Sequence, residues 1–281
     1  MKKREKGLQF IEQHLDLFQC PVCQCGYERV ESGSIICPNG HSIDVSKKGT
    51  LYFLNHAVTS EYDSEMLASR RRILTAGLFD PICEEFSRYM GENEMILDIG
   101  SGEGTPLKRT LSLLKNATAI GFDISTAGIN LATQLNSEAF FCIADLANLP
   151  FNRAQFTTIL DLFSPSAYSE FHRVLRPGGQ VLKIVPNANY LGELRQLLYD
   201  KSSQHAVYQN DQVVDLFEKH FPNAQSKRLT YTFEFDADLL SDLIQMTPLH
   251  WGATPETIKK VKNSKLDHIT VDVTLLKGVT A

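Results

Sequence analysis

The chain has no apolar run that approaches membrane-spanning length, which argues against a transmembrane helix. It also has no excess of positive charge. Lys and Arg total 28 against 33 Asp and Glu, a formal charge of −5, so a generic electrostatic binder of nucleic acid is excluded and only a local basic site remains open. Arg70-Arg71-Arg72 and Lys47-Lys48 are two such clusters, and each reads equally well as a solvated helix or loop face. Internal repeats and low-complexity segments are missing. The start, Met1 to Lys6, is basic like the front of a secretory leader, but Glu12, His14 and Asp16 break the stretch that follows, so the expected location is the cytoplasm. A disulfide-like spread of cysteines is missing too. Cys20, Cys23, Cys25 and Cys37 crowd together while Cys83 and Cys142 stand alone, and in a cytosolic protein such crowding favours a metal over disulfides.

What is present is an ordinary globular composition, with 43% hydrophobic residues in 281, enough apolar material for one large domain or two smaller ones. Three segments are expected. Residues 1–56 form a small zinc-binding module opened by an amphipathic stretch (Leu8, Ile11, Leu15, Phe18), residues 57–90 a helical linker, and residues 91–281 the main domain. From residue 94 strands alternate with helices. Strands are expected at 95–99, 118–122, 139–143, 157–162 and 180–185, with helices starting near Thr105, Ser125 and Ser166, a rhythm that implies a parallel sheet covered on both faces. Helices at 191–199, 211–220 and 236–245 and strands at 227–235 and 269–276 complete the pattern.

The cysteine cluster reads Cys20-Pro21-Val22-Cys23, then thirteen residues, then Cys37-Pro38-Asn39-Gly40-His41. Two ligand pairs on two tight turns can converge tetrahedrally, and thiolates with an imidazole suit Zn²⁺. Cys20, Cys23, Cys37 and His41 are the expected ligands, with Cys25 as the competitor for one place. A core this small rarely folds without such a staple. Four protein ligands leave no open position, so the zinc is expected to be structural rather than catalytic.

The second motif is Met95-Ile96-Leu97-Asp98-Ile99-Gly100-Ser101-Gly102-Glu103-Gly104, an apolar run that ends in an acid and opens into alternate glycines, with Asp123 at the end of the next apolar run. Strand, glycine turn and later acid make a nucleotide-binding half of a doubly wound sheet. The glycine spacing resembles motif I of S-adenosylmethionine-dependent methyltransferases rather than the dinucleotide fingerprint, and no Lys-Ser/Thr follows to hold a triphosphate. On this reading the Gly100–Gly104 turn passes under the methionine part of the cofactor, Asp98 lies near its ammonium, and Asp123 accepts from both ribose hydroxyls. In Ala144-Asp145-Leu146, Asp145 faces the adenine amino group or else caps a helix. The fourth strand ends in Asp161-Leu162-Phe163-Ser164-Pro165, at the edge where open sheets of this kind bind ligands. There Phe163 either stacks on a planar acceptor or belongs to the core, the Ser164-Pro165 backbone offers carbonyls to a ring N–H, and Asp161 is the candidate base or else caps a helix or binds structural water.

Together these pieces resemble the bacterial 23S rRNA (guanine-N1)-methyltransferases, on the side of the branch linked to tylosin-type macrolide sensitivity. The resemblance rests on the Cys20–Asp44 motif, Lys48-Gly49, Arg71-Arg72-x-x-Leu74-x-Ala76-Gly77, Leu97–Gly104, Phe122-Asp123-Ile124-Ser125, Asp161–Pro165, Glu170–Leu175 and Met246-Thr247-Pro248. It implies a class I methyltransferase fold, Rossmann-like with a mostly parallel seven-stranded sheet, and a small N-terminal zinc-ribbon-like module. It implies that Asp98, Gly100, Gly102, Glu103, Gly104, Asp123, Ile124, Asp145 and Leu146 hold S-adenosylmethionine, and that Asp161, Phe163, Ser164 and Pro165 serve the acceptor. It further implies a homodimer that methylates a guanine in a hairpin loop of domain II of 23S rRNA, at the wall of the peptide exit tunnel. Guanine N1 is buried in Watson–Crick pairing, so a loop or extruded base is needed for access. The chain departs from the family pattern at Ser101, commonly Cys, and at Thr105-Pro106, commonly two aromatics. Two other readings are a metabolite methyltransferase, which leaves the cysteine module without a purpose, and a non-catalytic binder, which expects an eroded glycine motif.

Overall fold

The computed structural model describes residues 1–55, 63–199 and 210–281; the first part of the expected linker, 57–62, lies outside the described residues. The N-terminal segment holds helix α1 (Lys3–Gln13) and short strands β1 (Arg29–Glu31), β2 (Ser34–Ile36), β3 (Ser42–Asp44) and β4 (Leu51–Tyr52). Helices α2 (Ser64–Thr75) and α3 (Asp80–Ser87) lead into the main sheet. Asp63 starts α2 by accepting the Met66 N–H at 2.7 Å, a cap typical of a helix N-terminus.

The alternation expected from residue 94 is present. It runs β5 (Met95–Ile99), α4 (Thr105–Leu111), β6 (Thr118–Asp123), α5 (Thr126–Ala132), β7 (Phe140–Ile143), β8 (Phe156–Leu162), α6 (Tyr168–Val174) and β9 (Leu175–Pro186). Then come α7 (Gly192–Leu198), α8 (Asp211–His220), β10 (Gln225–Glu234), α9 (Leu240–Gln245), α10 (Pro255–Lys262) and β11 (His268–Val279). Helix α10 is an addition to the expected elements. Its signals are local, a Thr254 cap and Pro255 in the first turn.

Among the described residues the main sheet has eight strands in the order β10-β11-β9-β8-β5-β6-β7-β4. Only β11 runs against its neighbours, and the rest of the named pairs are parallel. The seven strands expected of the main domain are all there. The eighth, β4, comes from the N-terminal segment and extends the β7 edge through Leu51 and Tyr52 beside Cys142 and Ile143. Strand order reverses between β5 and β8, because β6 and β7 lie to one side of β5 and β8 to the other. A crevice therefore opens at the carboxyl ends of β5 and β8, where ligands bind in sheets of this type.

The N-terminal segment is not a loose appendage. Ile11, Phe18, Ile35, Val45 and Leu51 share one buried cluster with Phe122, Phe140, Phe151 and Phe156 of the main domain. Phe18 meets the Phe140 ring edge-on at 5.7 Å, and Phe10 stacks on Phe140 at 4.8 Å. Backbone bonds join the same parts, from Gln19 N–H to Pro150 O at 2.9 Å and from Asn152 N–H to Leu17 O at 2.8 Å. The other face of the sheet is covered by α2, α3, α7 and α9 around Ile73, Phe79, Leu194 and Leu243. No helix of the described residues is long and apolar enough to cross a membrane.

Candidate functional site

Cys20 and Cys23 lie on a turn before β1, and Cys37 and His41 on the turn joining β2 to β3. The ligand atoms of these four residues all lie within 4.8 Å of one another. Cys23 and Cys37 sulfurs are 3.6 Å apart, and His41 Nδ1 is 3.7 Å from the Cys20 sulfur and 3.5 Å from that of Cys37. Those spacings match the edges of a tetrahedron whose metal–sulfur bonds are ~2.3 Å and metal–nitrogen bonds ~2.0 Å. The turns are held locally, by Gln24 N–H to Cys20 O at 2.8 Å and Gly40 N–H to Cys37 O at 2.9 Å. Cys25 stands outside the cluster, where its thiol meets Cys23 O and accepts from Asn39 Nδ2. The four residues that the structure brings together are the expected set, with Cys25 outside it.

The crevice between β5 and β8 holds a pocket of 350 Å³ lined by Gly100, Gly102, Asp123, Ile124, Asp145, Leu146, Phe163, Ser164 and Pro165, among others. Nine residues singled out from sequence thus meet in one cavity. Gly100, Gly102 and Gly104 all have positive φ, which explains why glycine recurs there. A side chain at Gly100 would collide with the Ser164 hydroxyl, so the turn and the acceptor loop touch only because Gly100 has none. Asp123 receives the Gly102 N–H at 2.8 Å and the Ser125 N–H at 2.7 Å, which fixes both its oxygens at the pocket wall. Asp145 accepts the Ala147 N–H at 2.9 Å, so it caps a turn rather than a helix, and it still lines the pocket.

Three residues of the expected cofactor set, Asp98, Glu103 and Gly104, sit behind the wall instead of in it. Asp98 is buried beneath the turn and accepts from the Ser101 hydroxyl. A hydroxyl donates more strongly than a thiol, which gives Ser101 a physical role where the family pattern has Cys. Burial, reinforced by the charges of Asp123, Asp161 and Glu103, pushes the Asp98 carboxyl up to about 7, though the Ser101 hydroxyl opposes the rise. Glu103 is buried too. Arg71 reaches its carboxylate at 3.3 Å and its carbonyl at 2.8 Å, and the Thr105 hydroxyl completes the set. Thr105-Pro106, the second departure from the family pattern, opens α4 and supports Glu103 without lining the pocket. Gly104 caps α4, and a side chain there would meet Ala132 at 2.9 Å.

The candidate base requires a correction. Asp161 is fully buried and does not line the pocket. Its oxygens accept from Lys183 Nζ at 2.8 Å, from the Ser166 hydroxyl at 2.8 Å and from the Ser164 N–H at 3.2 Å. Burial raises this carboxyl against the pull of the Lys183 ammonium. A group so enclosed has no route to an acceptor proton; it positions the loop. Lys183, absent from the sequence reading, also donates to Ser164 O at 2.7 Å and so takes up the carbonyl expected to meet a ring N–H. Phe163 is both core and wall: it packs against Phe79 at 5.5 Å and Tyr190 at 5.2 Å, at φ 62°.

The arginine cluster is not a solvated face either. Arg71 is spent on Glu103, and Arg72 on Asp242 of α9 at 2.6 Å. Arg70 lines the pocket, its guanidinium 5.5 Å from the centre of the Phe79 ring. Lys48 donates to Asn130 at 2.6 Å.

Residues 96–179 match the family model described as a methyltransferase domain. The chain is 35% identical over 274 residues, 94% of its length and 97% of the relative's, to YxjB of Bacillus subtilis (strain 168), a protein named for 23S rRNA (guanine-N1)-methylation. It is 26% identical over 250 residues, 86% of the chain and 88% of the relative, to the 23S rRNA (guanine(748)-N1)-methyltransferase of Streptomyces fradiae. A solved structure from Anabaena variabilis, named for methyltransferase activity in antibiotic biosynthesis, superposes with a TM-score of 0.53 at 12% identity. It covers 70% of this chain and 96% of that one, and it supports the fold alone.

Two outcomes follow from the buried charges. Lys183→Met leaves buried Asp161 without its cation and destabilises the chain by about 3–5 kcal/mol in denaturant unfolding, and adding Asp161→Asn recovers a large part. For Asp98 the folded value lies above the ordinary carboxylate range, so the folded state binds the extra proton. Its contribution to stability is therefore present at low pH and lost as pH rises towards about 7, by up to about 1.4 kcal/mol per unit. Unfolding midpoints of the cofactor-free chain between pH 4.5 and 7.5 check this, and Asp98→Asn removes that share of the decline.

Proposed function

The chain belongs to the family of 23S rRNA (guanine-N1)-methyltransferases and uses S-adenosylmethionine, and we propose that its substrate is one guanine in a hairpin loop of domain II of 23S rRNA, at the peptide exit tunnel. The observation that carries this reading is the extent of the family relationship. It spans 94% of the chain, and so includes the Cys20–His41 module that a methyltransferase of small metabolites has no need of. In this reading Zn²⁺ on Cys20, Cys23, Cys37 and His41 fixes the shape of an RNA-gripping module, and a second copy of the chain completes the RNA cleft.

The cofactor supplies a methyl group on a sulfonium cation. This chain's residues hold it: Asp123 takes the ribose hydroxyls, Asp145 the adenine amino group, and Ile124 and Leu146 the faces of the base, while Gly100 and Gly102 let the backbone approach the methionine part. Asp98 supplies negative charge from below the turn. Phe163, at the strand end, offers a flat face to the guanine, with Ser164 and Pro165 closing its edge. The reacting atoms need near-attack geometry more than they need a covalent partner. The Asp161–Lys183 pair serves that requirement by holding the Phe163–Pro165 loop against Gly100. Residues 1–56, 57–90 and 91–281 then divide the work as RNA grip, lid and catalytic body, within one shared core.

Methylation at guanine N1 blocks base pairing and halts reverse transcription. Primer extension on 23S rRNA from cells with and without the gene is expected to show one stop, in a domain II hairpin, that depends on the gene. Identical patterns from the two sources would refute the reading.

A further inference from the structure

The charges around the pocket come in a countable set. Four carboxylates surround the glycine turn, Asp98, Asp123, Glu103 and Asp161, and a fifth, Asp145, lines the pocket as well. Two have cations of their own, Arg71 on Glu103 and Lys183 on Asp161. Asp98 and Asp123 have none, and each carboxyl is pushed up by burial. S-adenosylmethionine brings two positive charges, the ammonium towards Asp98 and the sulfonium, and ribose hydroxyls that donate to Asp123. It also brings one negative charge, the α-carboxylate of its methionine part, for which none of the acids is a partner.

Arg70 is the one basic side chain that lines the pocket among the described residues. It stands on α2 two residues before Arg72, and unlike both following arginines it makes no hydrogen bond or ion pair with any described residue. Its guanidinium lies over the face of buried Phe79, a contact that holds a cation in place without consuming its donors. It is close enough to Asp123 and to Tyr190 to act on both electrostatically. It therefore acts on both Asp123 and Tyr190, which packs against Phe163, in the cavity that Gly100 also lines. Leaving a carboxylate unpaired in such a cavity is costly, and Arg is the side chain whose forked donors match a carboxylate with two parallel bonds.

We propose that Arg70 is the residue that binds the α-carboxylate of S-adenosylmethionine, so that helix α2 closes over the cofactor through this contact. The helix is already tied to the glycine turn by Arg71 on Glu103 and to α9 by Arg72 on Asp242. Arg70 is thus presented from a fixed support, and selection for a cofactor bearing the carboxylate comes from this one side chain. The inference rests on the S-adenosylmethionine reading of the pocket.

The test is calorimetric titration of the full chain with S-adenosylhomocysteine and with its decarboxylated form. The unaltered chain is expected to prefer the carboxylate-bearing ligand by at least about tenfold, the usual effect of one charge-assisted bond. Arg70→Met is expected to bind both forms equally, at the level of the weaker one, while Arg70→Lys retains part of the preference. Thermal unfolding of each variant establishes that it is folded. If Arg70→Met keeps the full preference, the assignment is wrong, and a loss of RNA affinity in that same variant would move Arg70 to the acceptor. If the unaltered chain binds neither ligand, the cofactor reading itself fails and takes the assignment with it.

Discussion

The reversal of strand order between β5 and β8 is the constraint on which the rest depends. Parallel strands need long crossovers, and where successive crossovers leave in opposite directions their helices part and leave a crevice. The two loops that edge this crevice, 100–104 and 163–165, come from adjacent strands and are joined by Ser164 Oγ donating to Ile99 O at 3.0 Å. That bond is compatible only with glycine at position 100. Backbone topology therefore makes the pocket, and a missing side chain lets its two walls meet.

Charge then decides what the pocket accepts. Burying several carboxylates around one turn is unfavourable unless cations answer them. Glu103 and Asp161 are answered from within the chain and become struts that tie α2 to the glycine turn and β9 to the acceptor loop. Asp98 and Asp123 have no ion-pair partner among the described residues, so the cavity disfavours phosphate. The N-terminal segment supports the same wall from outside. The 145–152 loop follows β7 and carries Asp145. It is held on one side by Gln19 N–H and by Asn148 donating to Pro21 O at 3.4 Å, and on the other by Arg173, whose donors reach Leu149 O and Phe151 O. The turn that carries Cys20 and Cys23 and the turn that carries Asp145 are consequently neighbours.

Much of this was legible because the signals are local. The glycine turn, Asp123 and the strand–helix alternation lie within short windows, and Cys20, Cys23, Cys37 and His41 fall in two tight pairs, so the βαβ core and the four-residue cluster follow from spacing. The parts that escaped depend on contacts distant in sequence. Two residues, Leu51 and Tyr52, are too few to show strand periodicity, yet they extend the sheet. Lys183 lies 22 positions from Asp161 and meets it only because β8 and β9 are adjacent and parallel, so Asp161 read as the candidate base when it is a buried, paired carboxylate. The three arginines look alike in sequence and point to three different places. Which one faces the pocket is set by the phase of α2 against Glu103 and Asp242.

The central claim is that this crevice is built to hold S-adenosylmethionine through Asp123. Titrating the cofactor into the full chain and into Asp123→Ala, with heat as the readout, tests it most directly. The account predicts one molecule bound per chain and a loss of roughly tenfold or more in affinity in the variant, whose fold is unchanged. Saturable binding that Asp123→Ala leaves unaltered, or no binding to the unaltered chain, would contradict it.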